Sequence, residues 1–463
     1  MIHRSADAVH PAFTEHPEMM TSAPNPTGVT ALIDGAPLSR LQYQVFALSA
    51  VSVFLDGYDT QAVAYIAPVV SRSWSLPTGA FGPVFAAGLI GSALGSLALA
   101  PLSDRLGRKR VMVASAAAIG LLTLLCAAAN TLGMLESLRF LAGLGLGATL
   151  PNALALIAEY APERRRTTIV SATFCGLAVG AALGAVAATA LVPRWGWPSV
   201  FVAGGVVTLL SWPILQWLLP ESLSYLVLRR PESPETLETL ERLTGAPTAA
   251  SITLIAEPQE RPTSHLALLF NDGRGVVTLT YGLLAFLTLL TLYLLNNWLP
   301  TLIHSRGLSV EAASWSTAAF QLGGIAGTIL LGMLADRFGP IRVVVITYIA
   351  AAVSIASISA VLDPGWVALA ALASGFTVIG AQSCNNAVLT GLYPTASRGA
   401  ALGWNLAFGR IGSILGPSIT GMLLLMSISA EHVLLWAAVP VVGAAALLLS
   451  AASAIRRVTA RAK

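Results

Sequence analysis

Apolar runs long enough to cross a bilayer recur twelve times along the chain. They cover 43–70, 81–103, 111–128, 132–157, 168–192, 198–219, 276–303, 312–334, 341–361, 365–391, 399–425 and 431–455. The longest polar break, 220–275, holds Glu232, Glu235, Glu238, Glu241, Glu257 and Glu260 and divides the runs six and six. Residues 1–42 carry prolines and both signs of charge, with no basic region followed by a short apolar run. They read as a mostly disordered tail rather than a cleavable signal; 456–463 form a second tail. The pattern predicts an all-α integral membrane protein. Twelve transmembrane helices form two six-helix halves, 43–219 and 276–455, joined by a 220–275 loop.

Composition agrees. The chain is 55% hydrophobic and 10% charged, against about 25% charged in soluble proteins, and its mean hydropathy is +0.75. Cys126, Cys175 and Cys384 lie far apart in apolar segments, as buried small hydrophobes without disulfide or metal spacing. No nucleophile constellation, P-loop or zinc spacing is present. Enzymatic activity, ATP-driven transport, a cofactor, a bound metal and a nucleic-acid partner are therefore not expected. Lys and Arg counts orient the chain. With the N-terminus inside, inner segments hold 21 of the 26 basic residues and outer loops hold Arg72, Arg194 and Arg306. Both termini are then cytoplasmic.

Two carboxylates, Asp56 and Asp59, lie inside the first run, three residues apart on one helical face. A charge at mid-membrane costs at least about 2.5–3.5 kcal/mol, so such a residue is a functional-site candidate by default. Two carboxylates close together in a low dielectric cannot both ionise cheaply, which suits a proton carrier. Which of them titrates is left open. Arg139 and Arg410 lie inside the fourth and eleventh runs. A guanidinium can hold a carboxylate bidentately, so Arg139 is a candidate partner for the aspartates and Arg410 a candidate substrate anchor. Static pairing that holds helices together is the bland reading of each.

An internal repeat underlies the two halves. Residues 95–110, containing Asp104-Arg105-Leu106-Gly107-Arg108, align with 327–342, containing Asp336-Arg337-Phe338-Gly339, at an offset of 232 and with seven of sixteen positions identical. The same offset maps Arg166 to Arg398, Gly180 to Gly412 and Gly184 to Gly416. A parallel repeat of this kind places a binding site near mid-membrane between the halves.

Twelve spans, a long central loop and a duplicated Asp-Arg-x-Gly turn resemble the major facilitator superfamily, over residues 43–455. The first copy has Ala100 where the family expects Gly, and the second keeps Gly332 but lacks the basic run after Gly339. Asp56-Gly57-Tyr58-Asp59, followed by Ile66-Ala67-Pro68, further resembles the aromatic acid:proton symporter family of benzoate and hydroxybenzoate transporters. That family carries intramembrane arginines in spans four and eleven, matched here by Arg139 and Arg410. The resemblance implies a proton-coupled importer of a small aromatic carboxylate in a bacterial inner membrane, working by alternating access; a monomer is expected, with the oligomeric state left open by the sequence. The proton-coupling residues would be Asp56, Asp59 and Arg139. An importer of another organic acid or a sugar, a drug/proton efflux antiporter and a non-transporting sensor are the alternatives. The lack of a proline in the Gly176–Gly184 run argues against efflux.

Other candidates follow from residue type. Trp404 near Arg410 suggests ring on ring beside charge on charge. Asn405, Gln382, Asn385, Asn386, Asn296 and Asn297 are amides able to meet ring hydroxyls or a carboxylate, or merely to join helices. Tyr58, Phe85, Trp298 and Phe320 are possible ring neighbours, though packing is the commoner role. His304 near a span end is a weak candidate for a proton relay. On the family's account, Asp104, Arg105, Gly107 and Arg108, with Asp336, Arg337 and Gly339, pair charges at the cytoplasmic end and gate the cycle.

Overall fold

The computed structural model describes residues 33–34, 37–244, 269–270, 274–393 and 395–462. The expected tail up to 32 and loop residues 245–268, with Glu257 and Glu260, lie outside the described residues. Among the described residues there are twelve long helices, of which the first six are α1 Arg40–Ser73, α2 Gly82–Leu106, α3 Arg108–Ala127, α4 Leu132–Tyr160, α5 Glu163–Trp195 and α6 Pro198–Leu218. Two short helices follow, α7 Leu223–Arg229 and α8 Pro234–Thr244. The second set is α9 Gly275–Ser305, α10 Val310–Phe338, α11 Pro340–Ala360, α12 Pro364–Leu392, α13 Thr395–Leu425 and α14 Ala430–Ala462. No strand occurs among the described residues.

Eleven of the twelve are long and apolar enough to cross a membrane by composition alone. The exception is α1, whose apolar content is diluted by Gln42, Gln44, Asp56, Asp59 and Gln61. Its 34 residues span about 51 Å at 1.5 Å each, more than the roughly 30 Å apolar core of a bilayer. Its polar groups are tolerable because they face protein: Gln42, Asp56, Asp59 and Gln61 are all buried. A capping box starts the helix. Ser39 Oγ accepts from the Gln42 N–H at 3.3 Å and Gln42 Oε1 accepts from the Ser39 N–H at 2.7 Å, which satisfies donors the helix leaves unpaired.

The sequence repeat reappears as architecture. The 232-residue offset carries Leu132–Tyr160 onto Pro364–Leu392 and Arg108 onto Pro340. The packing partners repeat too: α1 with α5, α2 with α4 and α3 with α6, then α9 with α13, α10 with α12 and α11 with α14. Across the halves α5 meets α10, α2 meets α13 and α1 meets α9.

The two ends of the bundle differ. At the end remote from the Asp-Arg-x-Gly turns, polar and ring contacts join the halves. Gln61 Nε2 donates to the Asn296 carbonyl at 2.7 Å. Phe85 meets Trp298 edge-on with centroids 5.2 Å apart. Trp298 is fully buried, its indole N–H donating to the Pro417 carbonyl at 3.0 Å. At the same end Gly421 abuts α2, so that a Cβ there would stand 2.9 Å from both the Gly79 oxygen and the Gly82 Cα. This closed end has no room for a side chain at Gly421. Overpacking of this kind costs about 1–3 kcal/mol, so Gly421→Leu is expected to shift the population toward an open far end. A cysteine placed at buried Phe85 should then react with an impermeant thiol reagent about tenfold faster, the equivalent of 1.4 kcal/mol; an unchanged rate would count against a seal here.

Candidate functional site

The first half's polar core grows from α1, α3, α4 and α6. Asp59, 1% exposed, accepts from Thr123 Oγ1 at 2.5 Å and from Arg139 Nη1 at 3.0 Å. Arg139 Nη2 donates to Thr123 Oγ1 at 3.1 Å and Nε to Cys126 Sγ at 3.3 Å, and the guanidinium lies 5.2 Å from the centroid of the Phe201 ring. Both charged groups of this cluster have a counter-charge and hydrogen bonds, and the Arg139 guanidinium also has an aromatic face. The pair is satisfied entirely within the first half, by groups from α1, α3, α4 and α6. Asp59 and Arg139 are thus brought together, one of the pairings that a guanidinium and two aspartates left open. Thr123, Cys126 and Phe201 are partners the sequence reading missed; the polar Thr123 and Cys126, three apart in an apolar run, were the available signal.

Asp56 is different. It is 7% exposed yet has no hydrogen-bond or ion-pair partner among the described residues. Two charges act on it, Asp59 on its own helix and Arg410 on α13 of the other half. Arg410 is half-buried, and its guanidinium has no partner among the described residues. Among the described residues the structure thus leaves one carboxylate in the first half and one guanidinium in the second without a hydrogen-bond or ion-pair partner.

The remaining candidates scatter. Trp404 is not a neighbour of Arg410. Six residues separate them on α13, about 9 Å of rise and a different face. The Trp404 indole donates to the Thr278 carbonyl at 3.1 Å, and the ring packs on Phe408 at 4.7 Å and Phe270 at 5.5 Å. Tyr58 turns into its own half, donating to the Val200 carbonyl at 2.9 Å, and its ring packs against α6. Phe85 and Trp298 belong to the far-end seal and Phe320 is fully buried. The amides divide. Asn405 Nδ2 and Gln382 Nε2 both point to Asn386 Oδ1, at 3.0 and 3.4 Å. Asn385 instead donates to the Tyr348 hydroxyl at 2.5 Å. The side-chain oxygens of Gln382, Asn385 and Asn405 are buried without a partner among the described residues. Asn296 offers its main-chain oxygen to Gln61, and Asn297 donates to the Tyr293 carbonyl at 2.8 Å. His304 Nδ1 meets the Leu308 carbonyl at 2.8 Å.

The Asp-Arg-x-Gly turns are unequal. Asp104 and Arg105 are exposed, and Asp336 and Arg337 likewise. No ion pair joins the two turns among the described residues, because the inter-half contacts described above lie at the other end. The charge pairing expected of the turns is present only inside the first half, where Arg108 forms an ion pair with Glu159. Glu221 Oε1 accepts from the main-chain N–H of Lys109 and of Ser222, both at 2.9 Å, tying α3 to the chain after α6. Gly107 has φ +100°, and a Cβ there would lie 2.2 Å from Glu221 Oε2, so only glycine fits. Burial pushes the Glu221 carboxyl above its ordinary range, and the N–H donors of Ser222, Lys109 and Arg108 pull it part of the way back. At Gly339, φ +89°, nothing lies within 4 Å of the same position. Glu159 and Glu221 were not among the sequence candidates, since nothing in the Pro-Glu-Ser run at 220–222 marks it as the brace of a turn more than a hundred residues earlier.

Comparison with known proteins follows the same lines. The Major Facilitator Superfamily profile matches residues 49–278 and 281–463. The gallate transporter of Pseudomonas putida is 36% identical, over 94% of this chain and 97% of its own length. The 4-hydroxybenzoate transporter PcaK of Pseudomonas aeruginosa is 37% identical, over 91% of this chain and 95% of its own. Among solved structures, the xylose transporter XylE of E. coli in a partially occluded inward-open conformation superposes with TM-score 0.67 at 18% identity, covering 89% of this chain and 98% of that one. A bacterial homologue of the human lysosomal transporter Spinster, inward-facing and unoccupied, gives TM-score 0.67 at 17% identity over 91% and 98%. These two establish the fold, and the curated relatives and the profile establish the lineage: the chain belongs to the major facilitator superfamily, a family of membrane transporters rather than enzymes.

Proposed function

We propose that this protein imports a small aromatic carboxylate together with protons, as a monomer in a bacterial inner membrane. The observation that carries the reading is the half-buried Arg410 guanidinium inside an apolar span, with no hydrogen-bond or ion-pair partner among the described residues, in the half opposite buried Asp56. A cation inside the bilayer without a partner is costly, and a substrate carboxylate would supply the partner bidentately. Relatives named for gallate, 4-hydroxybenzoate and benzoate support an aromatic acid as the cargo.

The same geometry couples the two solutes. Without substrate, Arg410 partly balances Asp56. When a substrate anion takes Arg410, Asp56 loses that balance and a proton replaces it. The loaded site then carries no extra charge, which matters because an inside-negative potential opposes an entering anion by about 2.3 kcal/mol per 100 mV. Asp59 and Arg139 stay paired throughout and hold α1 against α4. The side-chain oxygens of Gln382, Asn385 and Asn405 are proposed acceptors for ring hydroxyls, with Asn386 holding the Gln382 and Asn405 amides in place. The basic-residue asymmetry places the Asp-Arg-x-Gly turns and both termini in the cytoplasm, so the far-end seal faces outward. In the cycle, 43–219 and 276–455 rock as two bodies joined by 220–275.

The test is uptake of radiolabelled 4-hydroxybenzoate and benzoate into proteoliposomes with and without an inward proton gradient. Wild type should accumulate label, and a protonophore should abolish it. Asp56→Asn should keep gradient-independent counterflow and lose accumulation. Full proton-driven accumulation by Asp56→Asn would remove the carboxylate from the mechanism.

A further inference from the structure

Beside Asp56 the helices α1, α3, α4 and α6 line a partly open cavity of about 20 Å³. One water needs about 10–15 Å³ on this scale and two to four polar partners. Besides Asp56, the walls carry the hydroxyls of Ser52, Thr149, Thr208 and Ser211. Ser52, Thr149 and Ser211 donate to the Leu48, Gly145 and Thr208 carbonyls. They therefore offer lone pairs to the cavity, as does the Asp56 carboxylate. Such a lining suits an occupant that donates.

The repeat shows how the fold fills the same space differently. At the 232-residue offset Asp56 corresponds to Thr288 and Ala116, on the cavity wall, to Tyr348. In the second half the fully buried Tyr348 places its hydroxyl 2.5 Å from Thr288 Oγ1, where it also accepts from Asn385 at 2.5 Å. The counterparts of Ser52, Thr149, Thr208 and Ser211 are Leu284, Ala381, Pro440 and Gly443, none of which carries a hydroxyl. Where the second half has a phenol hydrogen-bonded to a threonine, the first has an alanine, a carboxylate and four hydroxyls around a water-sized cavity.

We propose that this cavity is a hydration site whose single water delivers the proton to Asp56. The water donates to the carboxylate and to the Ser and Thr oxygens. A proton arriving on it passes to Asp56, leaving a neutral carboxyl group and neutral water. No charged residue lines the cavity from α3, α4 or α6, and the charges acting on Asp56 are Asp59 on α1 and Arg410 on α13. That this proton is the transported one rests on the symport reading above; the site itself does not.

The test reads the proton without flux. In purified full-length protein, acidified until the protonated carboxyl band of Asp56 is present in the infrared spectrum, that band is assigned by its loss in Asp56→Asn and followed after transfer to D2O at the same acidity. Wild type should exchange rapidly. Ala116→Tyr, which sets a ring in the cavity as in the second half, should slow exchange by about tenfold or more. The pair Thr208→Val with Ser211→Ala, which keeps the volume and removes two hydroxyls, should slow it by a smaller factor, with thermal melting showing that both variants fold. Exchange as fast in both variants as in wild type, or as slow in wild type as in Ala116→Tyr, overturns the site. Fast, variant-sensitive exchange in a wild type without proton-driven uptake supports the water site and sinks the symport reading.

Discussion

Arg139→Ala is expected to destabilise the fold severely, by about 3–5 kcal/mol. The guanidinium neutralises Asp59, which is 1% exposed and has no other cation bonded to it. Removing one partner of a buried pair costs about 3–5 kcal/mol, because the remaining charge stays behind without compensation. Native proteins have about 5–15 kcal/mol in all, and the Cys126 and Phe201 contacts are lost as well. Detergent-extracted Arg139→Ala should elute as aggregate in size-exclusion chromatography. The double variant Asp59→Asn with Arg139→Gln leaves no charge behind and should recover a monodisperse peak. A single variant that melts with wild type would show that the pair does not hold α1 to α4.

Arg410→Ala is expected to fold and lose its ligand. No hydrogen bond of the Arg410 side chain occurs among the described residues, so truncation removes no internal partner. Losing a hydrogen-bonded charge pair costs about 2–5 kcal/mol of affinity, or roughly 30-fold to more than a thousandfold in Kd. Equilibrium binding of labelled 4-hydroxybenzoate to the purified variant measures this directly. Arg410→Lys keeps the charge without the planar fork and should recover only part of the loss. Wild-type affinity in Arg410→Ala, from protein with an unaltered melting profile, would move the carboxylate anchor elsewhere.

Much of the molecule was legible in one dimension because the bilayer imposes a one-dimensional rule. Backbone groups in hydrocarbon must be satisfied within the segment, so each long apolar run had to be a helix. The duplicated Asp-Arg-x-Gly turn set the repeat register, and the same offset recurs in the helix limits and their packing partners. Only α1 falls short by hydropathy, and its departure is the signature of the site, since charged residues there are tolerable only against other helices. The pairing of Asp59 with Arg139 was among the options open from sequence.

Which aspartate would remain without a partner was not. Asp56 and Asp59 look equivalent along the chain, and the difference between them lies in Thr123 and Arg139, residues from two other helices. Trp404 looked close to Arg410 because six residues is a short separation in sequence, but a helix turns the two onto different faces. The Glu221 brace joins positions more than a hundred residues apart. The sequence by itself determined the helices, their repeat and the polar groups that must be sheltered, because hydrophobic length and charge are properties of each segment. Tertiary structure alone decided which polar groups find partners and which are left unpaired, because pairing depends on faces that meet only when the helices pack.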